Sequence, residues 1–138
     1  MEKELLQRTI ATLAEYEVAM LQNSEKRFVL KKKRFDPTTI HYCFYGQTFG
    51  NSDCKSAIEF KKSLNLPLFE CDYGFNSDFD IIDNLNLESQ NGYLTALEVF
   101  LYSLWEDDQM EKVYKIVEQF AKWENNNQEE VPKNLFTF

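Results

Sequence analysis

The stretch Thr95-Ala96-Leu97-Glu98 constrains the fold more than any other. Threonine followed three residues later by glutamate is a capping-box pattern. The threonine hydroxyl accepts from the glutamate N–H, and the glutamate carboxylate accepts from the threonine N–H. Leu94 and Val99 stand at the two positions of a hydrophobic staple. A helix is therefore expected from Ala96 to about Trp105. Leu97, Val99, Phe100, Leu101, Tyr102, Leu104 and Trp105 make it apolar around most of its circumference, so other elements must cover it.

Asp108 and Glu111 repeat the capping pattern with aspartate in place of threonine. Met110, Val113, Tyr114, Val117, Phe120 and Ala121 then form a stripe that ends near Trp123. The connection over 106–108 is short, so the two helices should form an antiparallel hairpin. A third helix is expected over residues 3–22, with Leu6, Ile10, Leu13, Tyr16 and Met20 at helical spacing and Leu5 and Leu21 widening the stripe. A fourth covers residues 53–64, capped by Asn51 or Ser52, with Ala57, Ile58, Phe60, Lys61 and Leu64 following and Pro67 just beyond.

Residues 26–46 have two readings. Ile40, Tyr42 and Phe44 alternate with His41, Cys43 and Tyr45, which is a strand period, and Arg27 to Leu30 supply a partner strand. The loop Phe35 to Thr39 would close that hairpin. Alternatively, Asp36 caps a helix that has Pro37 at its first position. The β-branched Thr38, Thr39 and Ile40 favour the hairpin. Residues 65–92 have no clear period but many apolar groups, and read as a packed irregular segment with a short helix near 78–84.

The expected fold class is mainly α (α+β): one small helical domain over residues 1–138, with a C-terminal helix hairpin and a short β-hairpin near 27–46. Four glycines and three prolines are too few for a sandwich of many short strands. Twelve phenylalanines and seven tyrosines point to a core built on rings. A polar connector over about 124–130 precedes an apolar tail over 131–138. That tail should pack on its own domain or on a second copy, the latter making a homo-oligomer. No apolar run reaches the roughly 18–20 residues that cross a bilayer, so no membrane partner is expected. The charged start Met1-Glu2-Lys3-Glu4 lacks the apolar block of a secretory signal, so a cytoplasmic protein is expected.

Charge is divided along the chain. Residues 63–111 hold eleven acids and no Lys or Arg; against a net charge of −8, this leaves +3 for the rest. A uniform duplex-DNA binder would be basic, so the acidic half should not face phosphate, and nucleic acid is not the expected partner. The expectation is a basic protein docking on Asp72, Asp78, Asp80, Asp83, Glu88, Asp107 and Asp108.

Other constellations carry weaker signals. Lys31-Lys32-Lys33-Arg34 is the one dense basic run. It suits phosphate, or else a solvated edge whose lysines discourage strand pairing. Asp78, Asp80 and Asp83 do not fit the calcium-loop order, because Asp83 replaces its glycine and Ser89 its final glutamate. His41, Cys43, Cys54 and Cys71 number a Cys3His set, yet no C-x2-C knuckle is present, so free thiols, no metal and no cofactor are expected. Gly46 and Gly50 bracket a turn that lacks the phosphate-loop pattern. Together these residues point to a non-enzymatic acidic interaction protein of a toxin-neutralising (immunity-type) or phage-inhibitor kind. A small enzyme or ligand-binding protein using His41, Cys43 and the Gly46–Gly50 loop is the second reading. A nucleic-acid module centred on Lys31 to Arg34 is the third.

Overall fold

The computed structural model describes residues 3–24, 28, 30–37, 39, 41–52, 54–66, 68–70, 93–122 and 132–137. The elements run α1 (Lys3–Asn23), a 3-10 turn (Lys32–Arg34), α2 (Phe44–Phe49), α3 (Lys55–Ser63), β1 (Leu68–Glu70), β2 (Tyr93–Thr95), α4 (Ala96–Glu106), α5 (Met110–Lys122) and a second 3-10 turn (Lys133–Leu135). The protein is mainly α. Among the described residues two short strands pair antiparallel, with Leu68 opposite Thr95, Phe69 opposite Leu94 and Glu70 opposite Tyr93. Among the described residues no helix is long and apolar enough to cross a membrane.

Helix α4 starts at Thr95 with both bonds of the capping box in place. Every residue from Ala96 to Leu104 is buried, as its all-round apolar sequence requires. Helix α1 packs along it. The contact face of α1 is Ile10, Ala11, Ala14, Glu17, Val18 and Leu21, rotated from the expected stripe, so that Tyr16 is 57% exposed. Ala11 and Ala14 sit on this buried face, and alanine adds little to an apolar stripe read from side-chain size.

The α4–α5 hairpin forms, but Asp108 does not cap α5. Asp108 has φ +58, its N–H donates to Trp105 O at 3.3 Å, and the Gln109 N–H donates to Leu104 O at 2.8 Å. This is a Schellman ending of α4, with aspartate in the left-handed position that glycine usually fills. Helix α3 ends the same way at Asn65, with φ +55 and bonds from Asn65 N–H to Lys62 O and from Leu66 N–H to Lys61 O. Its start also differs from expectation: Cys54 holds the cap position, and neither Asn51 nor Ser52 does.

Among the described residues of 27–46 no strand forms, and no helix begins at Pro37, so neither expectation is met there. The described part of that segment holds the first 3-10 turn and the start of α2. Cys43 caps α2 by accepting from the Gly46 N–H at 3.4 Å. Phe44 and Tyr45 are adjacent and both fully buried. A strand would send consecutive side chains to opposite faces, whereas a helix lets both enter one core. They enter a cluster around Phe28, whose ring centroid lies 4.9 Å from Phe44 and 5.6 Å from Phe120. The core thus rests on rings drawn from the 28–30 segment, α2 and α5.

The apolar tail docks on its own chain, the first of the two expectations for it. Leu135 and Phe136 are buried, and the Phe136 ring lies 5.6 Å from Phe100 of α4. Lys112 Nζ donates to the Thr137 hydroxyl at 2.9 Å and to its carbonyl at 3.1 Å. The short helix expected near 78–84 and the connector at 124–130 lie outside the described residues.

The left-handed Asp108 yields a direct test. Replacing it with glycine removes a Cβ penalty and should raise stability by about 0.5–1 kcal/mol, while Asp108→Val should lower it by at least that much. Denaturant melts check this. A glycine variant less stable than the parent would contradict the assignment.

Candidate functional site

The start of α4 gathers most of the buried polar groups among the described residues. Glu98, the acid of the capping box, accepts from the Thr95 N–H at 3.1 Å. The same oxygen lies 2.8 Å from Lys61 Nζ of α3, and this ion pair is almost fully buried, with side chains 4% and 0% exposed. Its other oxygen accepts from the Ser52 hydroxyl, and the Cys43 thiol lies 3.9 Å away. Lys61 also donates to the Ser52 carbonyl and hydroxyl, both at 3.0 Å, and sits 4.8 Å from the centroid of the Tyr45 ring.

A second carboxyl closes the cluster from α1. Glu17 accepts from the Leu97 N–H at 3.0 Å and from the Tyr45 hydroxyl at 2.6 Å. The first N–H groups of a helix have no partner within it, and its dipole favours negative charge there. Glu17 and Glu98 meet both requirements, and so tie α1 and α3 to the start of α4. Burial pushes the Glu17 carboxyl from 4.5 up to about 7. The hydrogen bonds from Tyr45, Leu97 and Thr95 work against that rise, and the neighbouring Glu98 charge adds to it.

Serine, lysine, glutamate and cysteine together resemble catalytic groups, but their geometry is that of a structural clamp. Ser52 Oγ accepts from Lys61 and donates to Glu98, so the lysine acts as a three-donor ammonium and not as a base for the serine. Ser52 and Lys61 are fully buried. Burial, with the Glu98 charge adding, pushes the Cys43 thiol up to about 12, which keeps it protonated and unreactive at neutral pH.

The other expected site residues separate. Asp107 and Asp108 are exposed in the turn between α4 and α5, beside exposed Glu106 and Glu111. Asp72, Asp78, Asp80, Asp83 and Glu88 lie outside the described residues, as does Cys71. Lys31, Lys32, Lys33 and Arg34 are exposed, and Lys32 pairs with Glu118 of α5 at 2.7 Å and lies over the Tyr114 ring. His41 is exposed while Cys43 is buried, so the two do not face each other as a thiol–imidazole pair. Among the described residues no three His, Cys, Asp or Glu side chains are grouped to hold a metal ion. Gly46 is a buried residue inside α2 and not part of an open loop; only Gly50, at φ +90, ends the helix.

Sequence reasoning missed Glu17, Ser52 and Lys61 as a unit. A signal existed. Lys61 follows Ala57 by four and Phe60 by one on the inner side of α3, and Glu17 follows Ala14 by three and precedes Leu21 by four. A charged residue on a buried helical face implies a buried partner.

The raised Glu17 predicts a pH dependence with a definite sign. The folded state holds the proton more tightly than the unfolded state, so this contribution to stability is fully present below about pH 4.5 and is lost as pH rises through about 7. Relative to Glu17→Gln, the parent should lose about 3 kcal/mol across that window, since each tenfold difference in proton affinity between the two states is worth about 1.4 kcal/mol. Chemical denaturation of both proteins at several pH values checks this, and a constant difference would contradict it.

No family model, curated protein or solved structure matches this chain, so its function has to be read from these residues.

Proposed function

We propose that the protein is a non-enzymatic interaction protein whose acidic side captures a basic protein partner, in the manner of toxin-neutralising, immunity-type proteins or phage-type inhibitors. The observation that carries this reading is the charge division, with eleven acids and no Lys or Arg over residues 63–111. One of those acids, Glu98, is buried against Lys61. Four others, Glu106, Asp107, Asp108 and Glu111, are exposed around a single turn. Such a cluster steers a basic partner and raises its association rate without requiring any chemistry at the surface.

Charge reversal tests it. Asp107→Lys with Glu111→Lys, and separately Asp78→Lys with Asp80→Lys and Asp83→Lys, should abolish low-salt capture of basic proteins from a lysate. The first pair should leave the melting temperature unchanged, because both residues are exposed. For a captured partner, the on-rate should fall by about ten-fold or more in the reversed protein and should fall with salt in the parent. An identical set of captured proteins from parent and variants would overturn the proposal.

A further inference from the structure

We propose that the cleft between the first 3-10 turn and α2 binds a small phosphorylated anion. The cleft holds about 260 Å³ and is lined by Lys31, Arg34, His41, Tyr42, Gln47 and Gly50, with Gly46 beneath. None of the described residues that line it is an Asp or a Glu. In a chain of net charge −8, this is a concentration of one sign against the background. It combines two sequence features that looked unrelated, the basic run and the His41-to-Gly50 segment.

The backbone explains why these cations converge. Lys31 enters the 3-10 turn from an extended conformation and Arg34 is its last residue, and the Arg34 N–H donates to the Lys31 carbonyl at 3.0 Å, which closes the turn and brings the two together. Lys31 and Arg34 therefore share the cleft side, and Lys32 points to Glu118. Lys31 and Arg34 make no ion pair with a described residue.

The walls are fixed by one amide. Gln47 Oε1 accepts from the Lys31 N–H at 2.6 Å, and its Nε2 donates to the carbonyls of Lys31 and Tyr42 at 3.2 and 3.1 Å. His41 Nδ1 lies 3.0 Å from the Gly50 carbonyl oxygen, a contact that needs the proton on Nδ1 and leaves Nε2 as the ring's other polar atom. Gly50 supplies that carbonyl from φ +90, with nothing within 4 Å of where a Cβ would stand, so glycine serves conformation here and not space.

The chemistry defines the ligand class. A guanidinium presents paired donors that match phosphate oxygens, and an ammonium adds a point charge. Exposed Tyr42 adds a ring beside them. The volume falls just under the roughly 300–1,000 Å³ of drug-sized ligand sites, which suits a ligand the size of a sugar phosphate. A long polyanion would meet the chain's overall negative charge. These residues are separate from the acidic turn, so this proposal and the protein-binding reading fail independently.

Calorimetric titration with ribose 5-phosphate tests it, with ribose and a short single-stranded DNA as comparison ligands. We expect saturable one-to-one binding of ribose 5-phosphate and none of ribose. Binding should weaken by at least about ten-fold in the Lys31→Gln, Arg34→Gln double variant, equivalent to losing about 1.4 kcal/mol. A second double variant, Lys115→Gln with Lys133→Gln, removes the same charge elsewhere and should bind like the parent. All four positions are exposed, so unchanged melting curves confirm folding. No saturable binding up to about 10 mM, equal loss in both double variants, or preference for the DNA would each overturn the proposal.

Discussion

The start of α4 is where the fold is decided. Its unpaired N–H groups and positive dipole end recruit two carboxyls, one from its own third position and one from the middle of α1. Once Glu98 is buried it needs a counter-charge, and Lys61 of α3 supplies it at 2.8 Å. Once Lys61 is buried its remaining donors need acceptors, and the Ser52 carbonyl and hydroxyl supply those. Each group satisfies the one before, and the sequence ends with α1, α3 and the 52-region held against one helix end. A half-satisfied network of this kind would be worse than an apolar core, because unpaired buried charge costs several kcal/mol.

The same cluster shapes how the chain's charge is distributed. Two of its acids, Glu17 and Glu98, are inside, and Glu17 is partly neutralised by holding its proton near neutral pH. The exposed acids at the α4–α5 turn have no such partners in the network and are presented to solvent. The cationic cleft beside α2 lies in a different part of the sequence, with Lys31 and Arg34 brought together by the 3-10 turn they bracket. Buried charge therefore serves the fold, and among the described residues the surface holds an acidic region at the α4–α5 turn and a basic region beside α2.

Helices with strong local signals were legible from sequence. The capping box, the bounds of α1 and the middle of the α5 stripe follow from spacing alone, and the structure has them, with Val113, Val117 and Phe120 buried, although Met110 is exposed and Ile116, outside the stripe, is buried. What spacing could not show depends on neighbours. The contact face of α1 runs through Ala11, Ala14 and Glu17, which only a partner helix and a helix end make favourable. The alternation around Tyr42 to Tyr45 resembled a strand because aromatic residues suit both strands and buried helices, and Cys43 is an unusual cap. Asp108 resembled a helix start because aspartate favours caps, yet aspartate also tolerates the left-handed conformation that ends a helix. For the site, Glu98 was visible only as a cap, since nothing local announces that a lysine thirty-seven residues earlier will meet it.

A double-mutant cycle on Lys61 and Glu98 tests the central claim most directly. Lys61→Met leaves a buried carboxylate without its counter-charge and should cost about 3–5 kcal/mol. Glu98→Gln keeps an acceptor for the Thr95 N–H but strands the lysine. The double variant removes both charges while retaining the cap, and should be more stable than Lys61→Met alone, with a coupling of about 2–3 kcal/mol in urea melts. Additive losses with no measurable coupling would contradict the account, because the two residues would then stabilise the fold independently and the start of α4 would not be the point on which it depends.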